Sequence, residues 1–123
     1  MSYIDGFLIA VPTAKKQAFI DHANMADGFF IEQGALRVVE CWGDDVPNGK
    51  LTDFLKAVQC KDDETVVFSW VEWPDKATRD RVGALMHDMS KADDRINPEK
   101  NPMPFDGARL IYGGFAPVID LSA

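Results

Sequence analysis

The sequence is short of the residues that announce chemistry. Its 123 residues include only two histidines and two cysteines. Cys41 and Cys60 lack CxxC spacing, which excludes a thioredoxin-type motif and a multi-cysteine zinc site. Cys41 falls in an apolar stretch and Cys60 in a polar loop, so no disulfide is expected, and that usage fits a reducing compartment. With His22 and His87 as the whole histidine complement, a His-rich metal centre within one chain is not expected, although a single-histidine haem ligand remains compatible. No metal and no cofactor are predicted. Nowhere does the chain reach the roughly 18 consecutive apolar residues of a membrane span. The N-terminal "MSYIDGFLIAV" lacks a basic start and a small-residue cleavage site, and Asp5 interrupts its apolar run, so a cytoplasmic location is expected. Basic clusters are missing too. Thirteen Lys and Arg are scattered among 20 Asp and Glu, for a net charge of −7, and the nearest approach to a basic run is Lys15-Lys16. Nucleic acid and anionic membrane surfaces are therefore not expected partners.

What is present is ordinary for a soluble domain: 46% hydrophobic and 27% charged residues in a length that suits one domain, 1–123. The patterning alternates between strand and helix. Residues 3–11 read as a strand, with Thr13 a candidate N-cap. Over 14–33, Phe19, Ala23, Ala26 and Phe30 form one helical stripe that Gly34 stops. Residues 35–43 and 64–73 read as strands, and "LTDFLKAV" between them has room for one short turn of helix. Asp75 caps a second long helix whose stripe is Val82, Leu85, Met86 and Met89. A segment carrying Pro98, Pro102 and Pro104 follows. Its Ile96, Met103 and Phe105 are spaced to anchor 97–107 as a flap over the sheet edge or a partner chain. The last strand lies within 105–121.

The order β-α-β-β-α-β predicts an α+β, ferredoxin-like sandwich: a four-stranded antiparallel sheet with two helices on one face. Such a sheet should alternate apolar and polar residues if its other face is wet. "VVFSWVEW" and "RLIYGGFAPVI" are apolar at both parities. A second copy of the chain, packed sheet to sheet, is the expected cover, giving a homodimer and a barrel-like assembly. Gly113-Gly114 in mid-strand fits close approach on both faces, by a helix on one side and a partner sheet or ligand on the other. A β-bulge explains the pair equally well.

The segments "ALRVVECWGDDVPNGKLTDF", "ETVVFSWVEWP" and "MPFDGARLIYGGFAPVIDL" resemble the YbaA-like family, a bacterial family of unknown function in the dimeric α+β barrel superfamily. The resemblance covers nearly the whole chain. It implies a ferredoxin-like protomer and a homodimer, and it implies no catalytic residues.

Candidate site residues follow from a trial pairing of the second and third strands with Asp44 opposite Glu64. That register puts Glu40, Trp42, Phe68, Trp70 and Glu72 on one face, and Val39, Cys41, Val67, Ser69 and Val71 on the other, facing the helices. Glu40 and Glu72 then lie about 13 Å apart, too far for a glycosidase-type pair. Asp44, Asp45 and Asp53 lack calcium-loop spacing and read as loop and capping residues. His22 sits at the shoulder of the first helix's stripe beside Met25 and Phe29. It is a candidate base or ligand contact, although a boundary histidine with one wet nitrogen carries more weight. Together with Trp42, Phe68 and Trp70 these residues form the expected pocket for a small apolar or aromatic ligand. Cys41 reads as core. The expected function is a homodimeric small-molecule-binding or stress-associated module. Two alternatives are a cofactor-free monooxygenase or isomerase with His22 as base, and a purely structural interaction protein.

Overall fold

The computed structural model describes residues 2–89 and 93–123, with Met89 described by its backbone alone, so the expected Met89 contact lies outside the described side chains. Four strands, β1 (Tyr3–Pro12), β2 (Arg37–Trp42), β3 (Glu64–Trp73) and β4 (Ile111–Phe115), form one antiparallel sheet in the order β2-β3-β1-β4. Two long helices, α1 (Lys16–Gln33) and α3 (Lys76–Met89), follow β1 and β3, and a single turn, α2 (Phe54–Ala57), interrupts the β2–β3 connection. This is the ferredoxin-like arrangement.

Local chemistry sets the boundaries. Gly34 takes φ 123° and closes α1 with hydrogen bonds from its own N–H to Ile31 and from the next N–H to Phe30. Asp53 caps α2 by accepting from the Lys56 N–H at 2.6 Å, and Asp75 accepts from the Thr78 N–H at the start of α3. Thr13 is not a cap: its hydroxyl pairs with that of Thr65 at 2.7 Å, because a short 3-10 turn over Thr13–Lys15 separates β1 from α1. β4 is also shorter than expected. Its ladder with β1 ends at the Ile4–Phe115 pair, two residues before Pro117, which has no N–H to donate.

Both long helices cover the same face. Phe19 and Ala23 of α1 pack on Ile9, Val11 and Val67, while Phe29 of α1 and Val82 of α3 pack with Val71 and Trp73. Each such fully buried side chain stabilises the fold by about 1.5–3 kcal/mol. The buried Asp5 carboxylate on this face accepts from Trp73 Nε1 at 2.9 Å and pairs with Arg79 Nη2 at 2.9 Å.

The opposite face is half covered. Val46, Leu55, Val58 and Cys60 of the β2–β3 excursion pack on Ala10 and Val66 at one end. The rest presents three rungs of cross-strand neighbours: Cys41–Phe68–Leu8–Ile111, Val39–Trp70–Gly6–Gly113 and Arg37–Glu72–Ile4–Phe115. Phe68, Ile111 and Phe115 are exposed.

The observed β2–β3 register places Glu40 opposite Ser69 and Cys41 opposite Phe68, one residue away from the trial pairing. Side chains alternate along a strand, so that slip reverses the β2 assignments. Glu40 and Trp42 join Val67, Ser69 and Val71 under the helices. Val39 and Cys41 join Phe68, Trp70 and Glu72 on the open face.

Candidate functional site

The corrected register brings a second acid to the helix side of the sheet. Asp27 projects from α1 four residues after Ala23, on the stripe that packs against β1 and β2. Glu40 rises from β2 beneath it. Two spaces meet at this pair. An outer cleft of about 490 Å³ runs between α1 and β2, lined by Lys16, Ile20, Asn24, Gly28 and Trp42. An inner cavity of about 180 Å³ is lined by His22, Phe30, Ser69, Met103 and Phe105. Phe19, Ala23, Asp27 and Glu40 belong to both and form the wall between them.

Burial and the Glu40 charge, in that order, push the Asp27 carboxyl well above the usual range. Glu40 is pushed up by burial, against the opposing influence of Asp27, Ser69 and His22. Two half-buried carboxyls in such proximity disfavour a second negative charge, so once one is ionised the other is harder to ionise. Glu40 Oε2 is buried and finds no hydrogen-bond partner among the described residues. A buried acceptor of this kind costs about 1–3 kcal/mol until a donor reaches it.

His22 is held by the segment after α3. Its Nδ1 lies 3.0 Å from Asn101 Oδ1. Asn101 Nδ2 donates to the Arg95 carbonyl at 2.8 Å and to the His22 carbonyl at 3.3 Å. These two donations orient the amide so that its oxygen faces the ring, and Nδ1 therefore carries the hydrogen. In the neutral ring the lone pair is then on Nε2. Asn101 is itself buried, and Phe105 packs edge-on against His22 and beside Phe19. The proline-rich segment thus closes the inner cavity against α1.

The six residues expected to share a pocket are divided between environments. His22 lines the inner cavity and Trp42 the outer cleft. Trp42 also packs on Phe19 and lies beneath the Lys16 ammonium. Phe68 and Trp70 pack on one another on the opposite side of the sheet. Phe29 is core, with no exposed surface, and Met25 faces outward from α1. Gly113 faces the open side, where the ring of Phe115 lies over it. Gly114 faces α3, where a β-carbon would come within 2.5 Å of Tyr3 Oη and 2.8 Å of Arg79 Nη2. The β1–β4 register runs through both glycines without a bulge. His87 lines a separate groove with Arg79 and Tyr112. Asp27 and Asn101 did not figure among the expected site residues. Asp27 carried a readable signal, an acid at a stripe position between Ala23 and Phe30, whereas the pairing of Asn101 with His22 spans 79 positions and left no local trace. Among the described residues, no three His, Cys, Asp or Glu side chains converge on a metal-sized site.

Known proteins agree with this architecture. The chain is 50% identical over 120 residues to the uncharacterized protein YbaA of Escherichia coli K12, covering 98% of this chain and 99% of that protein, and equally to YbaA of Shigella flexneri. A solved structure from an uncultured marine organism, described as a dimeric ferredoxin-like protein, superposes with a TM-score of 0.63 at 10% identity over 98% of both chains. At that identity the likeness concerns the fold alone. No helix among the described residues is long and apolar enough to cross a membrane. Residues 2–107 match the family described as a protein of unknown function, DUF1428, and the chain belongs to that family.

Proposed function

We propose that the chain is a cytoplasmic homodimer that binds a small, largely apolar molecule between α1 and the sheet, with one polar group of the ligand donating to the Asp27–Glu40 pair. The carrying observation is that pair. Two half-buried carboxyls stand at the junction of two spaces, and the buried Glu40 Oε2 finds no partner there among the described residues. An uncharged hydroxyl, amide or enol would satisfy it, while a ligand anion would face the charge already on the pair. The dimer is supported by the open sheet face, where Phe68, Ile111 and Phe115 are 46%, 45% and 61% exposed in one chain. A protein of the same fold is described as dimeric. The two free cysteines fit the reducing cytoplasm.

A thermal-shift screen of small aromatic and alicyclic alcohols, phenols and amides tests the site. Gly28 lines the outer cleft, and among the described residues nothing beyond its own helix backbone and chain neighbours lies within 4 Å of a β-carbon placed on it, so Gly28→Trp should fill the cleft from its wall. Compounds that stabilise the wild type should lose their effect in Gly28→Trp and weaken in Glu40→Gln, while a change at the exposed Lys50, outside both spaces, should leave the response intact. Retention of the full response in both cleft variants would place binding elsewhere.

A second reading is favoured by the His22 tautomer. With Nδ1–H committed to Asn101, Nε2 is available as a base, and the carboxyl pair supplies an acid. The corresponding activity is an isomerase or a cofactor-free oxygenase on an aromatic substrate. Oxygen uptake with quinols and solvent-deuterium incorporation into enolisable ketones would reveal it. Their absence in the wild type would leave binding as the function.

A further inference from the structure

We infer that the C-terminal segment 116–121 of each chain crosses to the second copy and lies in the apolar trough on that copy's open sheet face. The inference rests on the proposed homodimer and adds what completes its interface. The trough, about 260 Å³, is lined by Gly6, Leu8, Phe54, Phe68, Ile111 and Phe115 and is almost wholly apolar.

Three observations favour the partner's tail as its occupant. The first is exposure. Val118, Ile119 and Leu121 are 94%, 76% and 89% exposed, so within its own chain the tail buries almost nothing. In an extended segment Ile119 and Leu121 point one way, and Val118 and Asp120 the other, so one edge is wholly apolar and the other keeps its charge in water. The second is direction. Pro117 cannot donate to a ladder, and the β1–β4 pairing ends at Phe115, so the chain leaves its own sheet there. Six extended residues reach about 20 Å, enough to traverse four strands spaced about 4.8 Å apart. The third is continuity. Phe115, the last residue paired in the sheet, itself lines the trough, so a tail leaving one chain there starts inside the face that the proposed homodimer covers.

The test mixes two single-cysteine chains, both carrying Cys41→Ser and Cys60→Ser, one with Ile119→Cys and the other with Ile111→Cys. Neither chain can close a disulfide within itself, so a 119–111 disulfide identified by mass spectrometry reports a tail on its partner. We expect it to form readily under mild oxidation. A chain truncated after Phe115 should keep its circular dichroism and dimerise at least tenfold more weakly by sedimentation. A dimer that forms no such disulfide and is indifferent to truncation overturns the crossing while leaving the dimer in place. A wild-type monomer at micromolar concentration overturns both.

Discussion

Gly6 and Gly113 are cross-strand partners, and the ring of Phe115 lies over both of them, 3.5 Å and 3.4 Å from where their β-carbons would stand. The open face is therefore thinned at the centre of the β1–β4 ladder, and an aromatic ring occupies the space. Gly114, one residue on, is required on the other face. Its missing side chain admits Tyr3, whose ring lies under the Arg79 guanidinium at 5.3 Å. The successive glycines serve two different contacts.

Gly113→Ala and Gly114→Ala should consequently differ. At Gly113 the new methyl group meets only the rim of an exposed ring, and the cost should stay below about 1 kcal/mol. At Gly114 it displaces the ends of Tyr3 and Arg79, disturbing the Arg79–Asp5 pair, and should cost more, about 1–2 kcal/mol. Urea denaturation of the two variants checks the order. Equal losses would contradict it.

Asp5 binds β1 to α3. Asp5→Ala leaves Arg79 and Trp73 Nε1 without their shared acceptor, and should destabilise by about 3 kcal/mol. Asp5→Asn should recover part of that loss, since its amide oxygen still accepts from Trp73. Thermal unfolding of both variants measures the difference.

The carboxyl pair makes stability depend on pH in the sense opposite to an ordinary salt bridge. Burial pushes Asp27 up to about 8, above its unfolded value, so the folded state binds the extra proton. Its contribution is complete below about pH 4 and is lost as the pH rises toward 8. Asp27→Asn should flatten that decline and gain on the order of 1 kcal/mol at pH 8, after allowance for screening in a half-open cleft. Denaturant midpoints between pH 5 and 9 provide the measurement. A parallel decline in the variant would contradict the assignment.

Glu64 works the other way. Arg109 donates to both of its oxygens at 2.6 Å and holds its carboxyl down to about 2. The stabilisation is complete above its unfolded value, about 4.3, and disappears as the pH falls toward 2. Glu64→Gln should lower the melting temperature at pH 7 and make it less sensitive to acid below pH 5. Scanning calorimetry across that range should show the two curves converging at low pH.

The sequence made the elements legible because each carries its own signal. The Phe19–Ala23–Phe30 spacing, the stop at Gly34 and the prolines after α3 are local. Register is not local. Nothing in "RVVECW" distinguishes Glu40 opposite Phe68 from Glu40 opposite Ser69, since the strand is apolar at both parities and β2 lies at the sheet edge. That single residue of slip moves Glu40 and Trp42 to the helix side and separates them from Phe68 and Trp70. His22 was visible from the helical wheel. The role of Asp27 became clear only once Glu40 was seen beneath it.

The tether between His22 and Asn101 divides the work of one ring. Asn101 Oδ1 accepts from Nδ1–H, and that hydrogen is present whether the ring is neutral or protonated. A hydrogen bond that a bound molecule makes to the ring is therefore made at Nε2 and leaves the tether intact. Ligands can change while Phe105 and the backbone at 101 stay in place, so recognition and the shape of the cavity are served by separate nitrogens of one ring.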